Sequence, residues 1–421
     1  MGNMGNNFSE RRVVITGIGT INPLGNNVQD FWENLSLGKS GIRKISSFDI
    51  GDYDIQIAGE VDLPDLTPYF SSKKMTRRLD RYSLLSQIAG MQALRDSGLD
   101  VAKDPTRYGS LIGTGVGGLE SHFNNSERIV NKGMHANSPF YVIACIPSTG
   151  SAYFAQEAGL QGPSFSLNSA CSSGNHSFGT SMMMIKSGMA DAMFTGGSEA
   201  IISKLGISAF GNIGALSNRN DSPETASRPF DVNRNGFVIG EGAGVLCFEE
   251  LEHAKKRGAK IYAEVNGYGF SCDAHDLVAP HPEGDGAIRA IEMAMNGAGL
   301  NPGDIDLVNC HGTSTPLGDK IEAFAINKVL KEYGAKVPVH STKSMTGHLI
   351  GGASAVEAVA DMRVFVDGIV HPTTNVFNKD PEVNLNVITE TYKDESINHI
   401  LSNSFGFGGQ NAALIFSRYK N

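Results

Sequence analysis

The sequence predicts an α/β protein built around a mixed and largely buried sheet. Short apolar segments bounded by glycine alternate along the chain with longer segments whose apolar residues recur at helical spacing. Fifty glycines supply turns, and no low-complexity linker interrupts the pattern, so we expect the parts of the chain to pack tightly. The predicted strands include 12–17, 108–113, 192–196, 306–309 and 399–402, and the predicted helices include 82–97, 178–186, 286–298 and 355–366.

Composition narrows the class of protein. Hydrophobic residues make up 40% of the 421 residues and charged residues 19%, which is ordinary for a globular protein with a large core. No apolar run is long enough for a membrane-spanning helix, so we expect no membrane insertion. The net charge of −9 argues against nucleic-acid binding, which requires a basic surface. Residues 1–10 are polar and lack the plan of a secretory signal, so we expect a frayed start and a cytoplasmic protein.

Cys171 differs from the other cysteines in its surroundings. It lies among small residues at the predicted start of a helix, where backbone N–H groups and the helix dipole lower the pKa of a thiol. This position favours a nucleophile, although a lone cysteine is usually buried and unreactive, and the residue alone leaves both interpretations open. The odd number and wide spacing of the cysteines predict neither a disulfide framework nor a zinc site. The five cysteines are Cys145, Cys171, Cys247, Cys272 and Cys310.

Two histidines favour the interpretation of Cys171 as a nucleophile. His311 follows the predicted strand 306–309 and opens a turn rich in glycine and hydroxyl groups, and His348 ends the similar segment 343–348. Active sites of α/β proteins collect where strands end in such turns. One thiol and two imidazoles predict a nucleophile accompanied by two hydrogen-bonding groups.

A weak internal repeat relates the segment around Cys171 to the segment around Lys343. Residues 169–179 and 341–351 share four identities at a constant offset, and each copy precedes a helical stretch. The repeat predicts two similar halves, in each of which the start of a helix faces a common centre. The identical pairs are Ser169 and Ser341, Ser172 and Ser344, His176 and His348, and Gly179 and Gly351.

Two glycine-rich turns have different predicted roles. Residues 406–409 form a flexible turn whose N–H groups could contribute to an oxyanion hole, although a tight β-turn has the same composition. Residues 113–118 match Gly-x-Gly-x-x-Gly, but no acidic residue follows at the spacing that ribose binding requires. We therefore reject a nicotinamide cofactor and expect these glycines to shape a bend beside the active centre.

Four basic residues form a local exception to the acidic composition. Lys73 and Arg77 are four residues apart, as are Lys74 and Arg78, so each pair would share one face of a helix. Such a patch suits an acidic partner, although a run of this kind is more often a solvated charged face.

Five segments in order form a specific set: 168–174, 240–244, 311–316, 343–348 and 403–409. Together they resemble the β-ketoacyl-acyl-carrier-protein synthases of dissociated fatty-acid synthesis, over nearly the whole chain from Arg12 to Ser417. The resemblance implies the duplicated thiolase fold, a five-layered αβαβα arrangement with halves at 11–258 and 259–421, assembled as a homodimer. We expect no cofactor and no metal.

The same resemblance implies a decarboxylating condensation. Cys171 would accept an acyl group from acyl-carrier protein, and His311 and His348 would complete a Cys-His-His triad. Loss of carbon dioxide from a malonyl thioester puts negative charge on the thioester oxygen, which two imidazole N–H donors would stabilise. The N–H groups of Cys171 and Phe405 are the implied oxyanion hole, and the product would be two carbons longer than the acyl chain.

Supporting residues are carried over in the same way. Lys343 matches a lysine near the triad, and Glu322 matches the acidic residue that pairs with it, either to orient His348 or as a structural ion pair. Thr313 and Thr315 match hydroxyl residues that contact the phosphopantetheine arm.

The resemblance also concerns the acyl pocket and the carrier protein. Phe405 matches the gate of the pocket, and Val116 matches the branched residue typical of synthases with a broader range and longer chains. The basic patch Lys73, Lys74, Arg77 and Arg78 lies where related synthases dock the acidic carrier protein, so the resemblance favours docking over a solvated face. The sequence departs from the family at Asp276, Val278 and Gln410, which puts one pantetheine contact in question.

Other functions share this fold. A non-catalytic chain-length partner would lack the nucleophile, and a thiolase would carry a second cysteine within 402–413, where there is none. A ketosynthase of a dissociated polyketide pathway is the nearest alternative, and the absence of fused neighbouring domains favours fatty-acid elongation. The preferred acyl chain length is left open.

Overall fold

The computed structural model describes residues 11–420, so the predicted frayed start at 1–10 and the terminal Asn421 lie outside the described residues. Within 11–420, no helix combines the length and the apolar character that crossing a bilayer requires. The strands are β1 (Val13–Ile21), β2 (Arg43–Lys44), β3 (Ile57–Ala58), β4 (Tyr108–Gly113), β5 (Ser164–Phe165), β6 (Ala192–Glu199), β7 (Gly242–Glu250), β8 (Ala263–Cys272), β9 (Leu307–Asn309), β10 (Pro338–His340), β11 (Ile369–Val370), β12 (Asn386–Val387), β13 (Tyr392–Lys393), β14 (His399–Gly406) and β15 (Gln410–Ser417). The α-helices are α1 (Val28–Ser36), α2 (Arg81–Ser97), α3 (Leu119–Lys132), α4 (Tyr141–Cys145), α5 (Thr149–Ala158), α6 (Ser173–Lys186), α7 (Lys204–Asn212), α8 (Leu251–Lys256), α9 (Asp285–Ala298), α10 (Pro316–Leu330), α11 (Lys343–Thr346) and α12 (Ala353–Asp367).

The predicted strands and helices are present, and some are longer than predicted. Strand β1 continues to Ile21, beyond Gly17, where the sequence pattern predicts its end. Glycine is required inside this strand because α2 packs directly on it: a Cβ atom on Gly19 would lie 2.1 Å from the carbonyl oxygen of Ala89. Here glycine marks a close approach of backbones rather than a turn.

Eleven strands form one mixed sheet in the order β12-β10-β9-β14-β15-β8-β1-β7-β6-β4-β5. Outward from its centre, the series β1-β7-β6-β4-β5 and β8-β15-β14-β9-β10 both run through two antiparallel pairings and then two parallel ones. The two series are therefore topological copies, as the internal repeat predicted. Strands β1 and β8 pair antiparallel and join the copies. The division at residue 258 stays a prediction.

Helices occupy three layers around the two series of strands. Helix α6 contacts β4 and β6 on one side and β8 and β15 on the other, and α12 likewise contacts β6, β7 and β14. Outside the first series lie α2 and α5, and outside the second lies α9, with α10 against it. Because α12 is covered on both sides, nearly all of its side chains are buried. The result is the five-layered α/β arrangement of the thiolase fold.

Candidate active site

Cys171 lies in the turn that leads into the central helix α6. A 3-10 turn over Ala170–Ser172 passes directly into the helix. The hydroxyl of Ser172 donates to the carbonyl oxygens of Ser404, at 2.9 Å, and Gln410, at 2.6 Å. The hairpin of β14 and β15, from the second half, therefore fixes the position of the cysteine from the first.

His311 and His348 approach Cys171 from the second half. His311 lies two residues beyond the end of β9, and His348 follows the short helix α11. The centroids of the two imidazole rings are 5.4 Å apart, and the rings are nearly perpendicular, at 86°. The sulfur of Cys171 and one ring nitrogen from each imidazole all lie within 4.8 Å of one another. The structure thus brings together the three residues that the sequence singled out.

A cleft of about 340 Å³ leads to the two histidines of this group. Both His311 and His348 line it, as do Thr313 and Thr315, whose hydroxyl oxygens are 3.0 Å apart. Val278 also lines the cleft and makes this part of its wall apolar. The two threonines lie where they could donate to a polar chain that enters along the cleft.

Two other departures from the family lie beside the cleft. The carboxylate of Asp276 accepts hydrogen bonds from the backbone N–H groups of Val278, at 2.8 Å, and Ala279, at 2.9 Å, so it holds its own loop. The side-chain amide of Gln410 donates to the carbonyl oxygen of Phe407 at 3.4 Å. Both side chains therefore form hydrogen bonds within their own turn.

Burial makes Cys171 a weak acid in the free protein. It raises the pKa of the thiol to about 12, against the positive charge of Lys343 and the backbone N–H groups of Phe407 and Cys171, which act in the opposite direction. The prediction that the helix start lowers this pKa is therefore wrong, because loss of solvation outweighs the local N–H groups. An incoming thioester would meet a protonated thiol that must lose its proton to react.

Both imidazoles are uncharged at neutral pH. Burial lowers the pKa of His311 and of His348 well below the ordinary value, and the charge of Lys343 lowers both further. Among the described residues, neither ring nitrogen of His348 has a hydrogen-bond partner, nor does Nδ1 of His311. Each neutral ring carries one N–H, so the pair can supply two uncharged donors without protonating a substrate.

Within residues 11–420, these three side chains also lie close enough together for their ligand atoms to hold a metal ion. One cysteine and two histidines would suit zinc. The positive charge of Lys343 acts on all three residues and opposes a second cation, which favours thiol chemistry.

Lys343 forms a buried ion pair with Glu357, on α12. Its Nζ lies 2.5 Å from Oε1 of Glu357, and both side chains are at most 2% exposed. The predicted pairing of Lys343 with Glu322 is wrong, because Glu357 occupies the position opposite the ammonium group. A single acidic residue inside the apolar stretch 353–360 was the sequence signal that was missed.

Glu322, on α10, instead fixes the backbone at His311. Its two carboxylate oxygens each accept one backbone N–H, from His311 and from Gly312, both at 2.7 Å, and Oε1 also accepts from the side-chain amide of Asn403 at 3.3 Å. Burial raises the pKa of Glu322 to about 7, although these hydrogen bonds act to lower it. Its place in the site is to hold the turn that carries the histidine.

The second phenylalanine of the turn at 405–409 contributes its N–H to the surroundings of the nucleophile. The backbone N–H groups of Phe407 and Cys171 both act to lower the pKa of the thiol, which makes Phe407 a candidate for the oxyanion hole beside Phe405. Phe405 itself lies within β14, which continues to Gly406. The ring of Phe405 lines the cleft, 5.8 Å from the ring of His311 between centroids.

Val116 lies outside the cleft. The residue is 37% exposed, on the turn between β4 and α3. An acyl pocket that includes Val116 is therefore not closed by the described residues of one chain alone.

The four basic residues meet on the surface, but not as predicted. A 3-10 turn over Met75–Arg77 replaces the expected helix, because α2 begins only after its cap at Asp80. Lys73, Lys74, Arg77 and Arg78 line one shallow depression. The guanidinium of Arg78 also lies 4.0 Å above the ring of Phe140, which holds it in place.

The duplicated halves and the cysteine-histidine cluster between them define a protein of the thiolase-like class. The chain belongs to the beta-ketoacyl synthase family: residues 10–254 match the family's N-terminal domain, and residues 262–377 match its C-terminal domain.

Relatives and solved structures agree with this assignment. A protein of Vibrio cholerae named 3-oxoacyl-[acyl-carrier-protein] synthase 2 is 45% identical over 98% of this chain and all of its own. The protein of the same name from Synechocystis is 42% identical with the same coverage. A beta-ketoacyl synthase from Burkholderia phymatum has a TM-score of 0.90 at 31% identity, over 97% of this chain and 100% of its own. A type II polyketide ketosynthase in complex with its acyl-carrier protein and a hexaketide has a TM-score of 0.89 at 32% identity, over 97% and 100%.

Proposed function

We propose that this chain catalyses the decarboxylative condensation of malonyl-acyl-carrier protein with an acyl group bound to Cys171, extending fatty acyl chains by two carbons. The observation that carries the proposal is the convergence of Cys171, His311 and His348 beside a cleft that both histidines line. The names of the full-length relatives support the same reaction.

In the first step, the sulfur of Cys171 attacks the acyl thioester of the carrier protein. The N–H groups of Cys171 and Phe407 are placed to receive the negative charge that develops on the carbonyl oxygen. The carrier's thiol leaves as the new thioester forms, and the proton lost by Cys171 ends on that thiol. Lys343 favours the thiolate through its charge.

In the second step, a malonyl thioester enters the same cleft. The neutral rings of His311 and His348 donate to its thioester oxygen, which stabilises the enolate left when carbon dioxide departs. The carbanion attacks the acyl carbon on Cys171, and the carbon–sulfur bond breaks. The released thiolate takes up one proton from solvent, which returns the enzyme to its starting state. The ion pair of Lys343 and Glu357 sets the local charge.

We also propose the partners and the place of action. The patch Lys73, Lys74, Arg77 and Arg78 docks the acidic carrier protein, and Thr313 and Thr315 contact the phosphopantetheine arm. A second copy of the chain covers β5 and the exposed side chains around Val116, which completes the acyl pocket with Phe405 at its gate. The protein acts in the cytoplasm and needs no cofactor or metal.

A ketosynthase of a dissociated polyketide pathway is the second candidate. The structural likeness to the polyketide ketosynthase supports it, whereas the higher identity to fatty-acid synthases favours the first. A non-catalytic chain-length partner is disfavoured by Cys171, since such a subunit has no use for a nucleophile.

Incubation of the protein with acyl- and malonyl-acyl-carrier protein tests the proposal. We expect release of carbon dioxide and a β-ketoacyl product two carbons longer, both followed by mass spectrometry of the carrier. Cys171→Ala should abolish condensation while His311 and His348 still permit some release of carbon dioxide. Full condensation by Cys171→Ala, or none by the native protein with any acyl chain tested, contradicts the proposal.

A further inference from the structure

Glu199 is a fully buried carboxylate that the reaction above does not use. It ends β6 and has no exposed surface, and within residues 11–420 it forms no ion pair with a lysine, arginine or histidine. Four donors surround it instead. Such an arrangement needs a reason, because burying a carboxylate without a cation is costly.

The donors come from two segments that flank the active site. Oε1 accepts from the hydroxyl of Thr114, at 2.9 Å, and from the N–H of Val116, at 3.3 Å. Oε2 accepts from the N–H of Gly115, at 2.6 Å, and from the N–H of Gly351, at 3.1 Å. Glu199 therefore ties the turn that carries Val116 to the segment just after His348.

The turn at 114–118 is also connected to the nucleophile. The side-chain amide of Asn168 donates to the carbonyl oxygen of Gly115 at 2.8 Å. The hydroxyl of Ser173 donates to the backbone carbonyl oxygen of Thr114 at 3.2 Å. Space between the two segments is minimal, since a Cβ atom on Gly351 would lie 2.3 Å from the nitrogen of Gly115. A small shift at Glu199 must therefore move the turn.

We propose that Glu199 is a positioning residue that holds Val116 at the wall of the acyl pocket and so sets which acyl chains the enzyme accepts. This inference rests on the proposed function, in which Val116 lines that pocket. The ligand class concerned is the fatty acyl thioester, and the selected property is its chain length.

The carboxylate matches its four donors, because each of its oxygens accepts two hydrogen bonds. In Glu199→Gln, an amide NH₂ at the Oε2 position would face the N–H groups of Gly115 and Gly351. With the amide reversed, it would face the N–H of Val116, and only the hydroxyl of Thr114 could turn to accept. A protonated carboxyl group also has one acceptor fewer, but it carries no charge, so burial favours it where the amide has no such compensation.

Acid should act on the turn at an unusually high pH. Burial raises the pKa of Glu199 to about 7, against the hydrogen bonds from Gly115, Thr114, Gly351 and Val116. The titratable group whose pKa its charge affects is Cys171, whose thiol stays protonated in this range. The buried carboxyl binds its proton more strongly than a solvated one does, so as pH falls through about 7 the closed position of Glu199 and of the turn becomes more stable.

The test compares the ratio of kcat/KM for a long and a short acyl-carrier thioester in the native protein and in Glu199→Gln. We expect the variant to change this ratio by at least about tenfold, and the native ratio, but not the variant's, to change as pH falls through 7. The matched control is Glu60→Gln. Glu60 is also buried and accepts N–H groups of a turn, at Ser46 and Ser47, but lies outside this cluster, so its loss should leave the ratio unchanged.

Two further measurements keep the inference open to refutation. Thr114→Val removes one hydrogen bond to Glu199 while keeping the shape of the side chain, and it decides the matter if Glu199→Gln does not fold: an unchanged ratio would overturn the inference. Hydrogen exchange of residues 114–118, corrected for intrinsic rates, should slow below pH 7 in the native protein only, because protonation of the buried Glu199 disfavours opening of the turn. Because this measurement needs no turnover, it separates failure of the positioning role from failure of the proposed reaction. Equal exchange at pH 6 and 8 counts against Glu199.

Discussion

The ammonium group of Lys343 and the carboxylate of Glu357 lie 2.5 Å apart in the interior, where neither is more than 2% exposed. Thr342 adds one hydrogen bond to the same carboxylate oxygen, at 3.2 Å, and the other oxygen has no partner among the described residues. The charge of Lys343 therefore depends on a single acidic residue of α12 for its compensation.

Removal of that residue should be strongly destabilising. In Glu357→Gln the ammonium of Lys343 stays buried without an opposite charge, which typically costs about 3–5 kcal/mol of unfolding free energy. Urea denaturation measures the loss. Glu252→Gln is the control, because Glu252 pairs with Lys255 on the surface, where an ion pair contributes roughly 1 kcal/mol or less. Equal losses in the two variants would refute a structural role for the buried pair.

Acid should destabilise the protein through His371. Burial lowers the pKa of this imidazole to about 4, whereas it is about 6.5 in the unfolded chain. Between these values only the unfolded state binds the proton, so stability is lost as pH falls from about 6.5 to about 4, by roughly 3 kcal/mol. His371→Gln should reduce the difference in unfolding free energy between pH 7 and pH 4.5.

The control for this titration is the exposed His135, whose replacement by glutamine should leave the pH dependence as it is. His340 lies 4.1 Å from His371 between ring centroids, and burial lowers its pKa as well. The double variant His340→Gln, His371→Gln should therefore resist acid more than either single variant. Unchanged acid sensitivity in all three would show that these rings titrate normally.

Gly408 should matter for the rate of acylation. Its φ of 77° lies in the left-handed region, next to the N–H of Phe407 that faces the thiol. Alanine there costs about 1–2 kcal/mol in backbone strain and should displace that N–H, lowering the rate of Cys171 acylation by at least about tenfold. Rapid-quench mass spectrometry of the acyl-enzyme measures this rate.

Gly51→Ala provides a comparison with the same kind of strain. Gly51 has a φ of 64°, and a Cβ atom added there would meet no other atom within 4 Å. Gly51 does not line the cleft, so we expect a similar loss of stability and an unchanged acylation rate. A slowed rate in Gly51→Ala as well would attribute the effect to general strain.

Reversing charge in the basic patch should weaken recognition of the carrier protein. Lys73→Glu with Arg77→Glu replaces two cations of the depression by anions. We expect KM for acyl-carrier protein to rise by about tenfold or more at low salt, with little change in kcat, and the difference to shrink as salt screens the charges. A small acyl-pantetheine thioester should be used equally well by both proteins.

The control for the patch is Lys103→Glu, at another surface position. If it raises KM as much as the double variant does, net charge and not the patch controls the encounter.

Local sequence features predicted the elements of the fold better than their partners. Alternation of apolar runs and glycine located β4 at 108–113 correctly, because a short buried strand leaves that pattern wherever it pairs. It could not show that β4 lies between β5 and β6, since pairing depends on contacts distant in sequence. The repeat around Cys171 did predict the two copies of the strand order.

The same limit applies to the candidate site: the sequence predicted its residues better than their partners. The motifs selected Cys171, His311 and His348, which the structure brings together. They could not choose between Glu322 and Glu357 as the partner of Lys343, because both are acidic residues on largely apolar helices and only their directions differ. The prediction for the pKa of Cys171 failed for a related reason. The sequence shows where a helix starts, but it does not show which distant residues bury the thiol.

The pairing of β1 with β8 determines how the protein unfolds and whether its halves can fold separately. Val13 and Val265 face each other across the boundary between the copies, so one hydrogen-bonded sheet runs through both. A cut at the loop near Gly258 would separate the chain but not the sheet. Two fragments expressed separately should therefore reassemble only as a pair, with a single cooperative unfolding transition, and neither should fold alone.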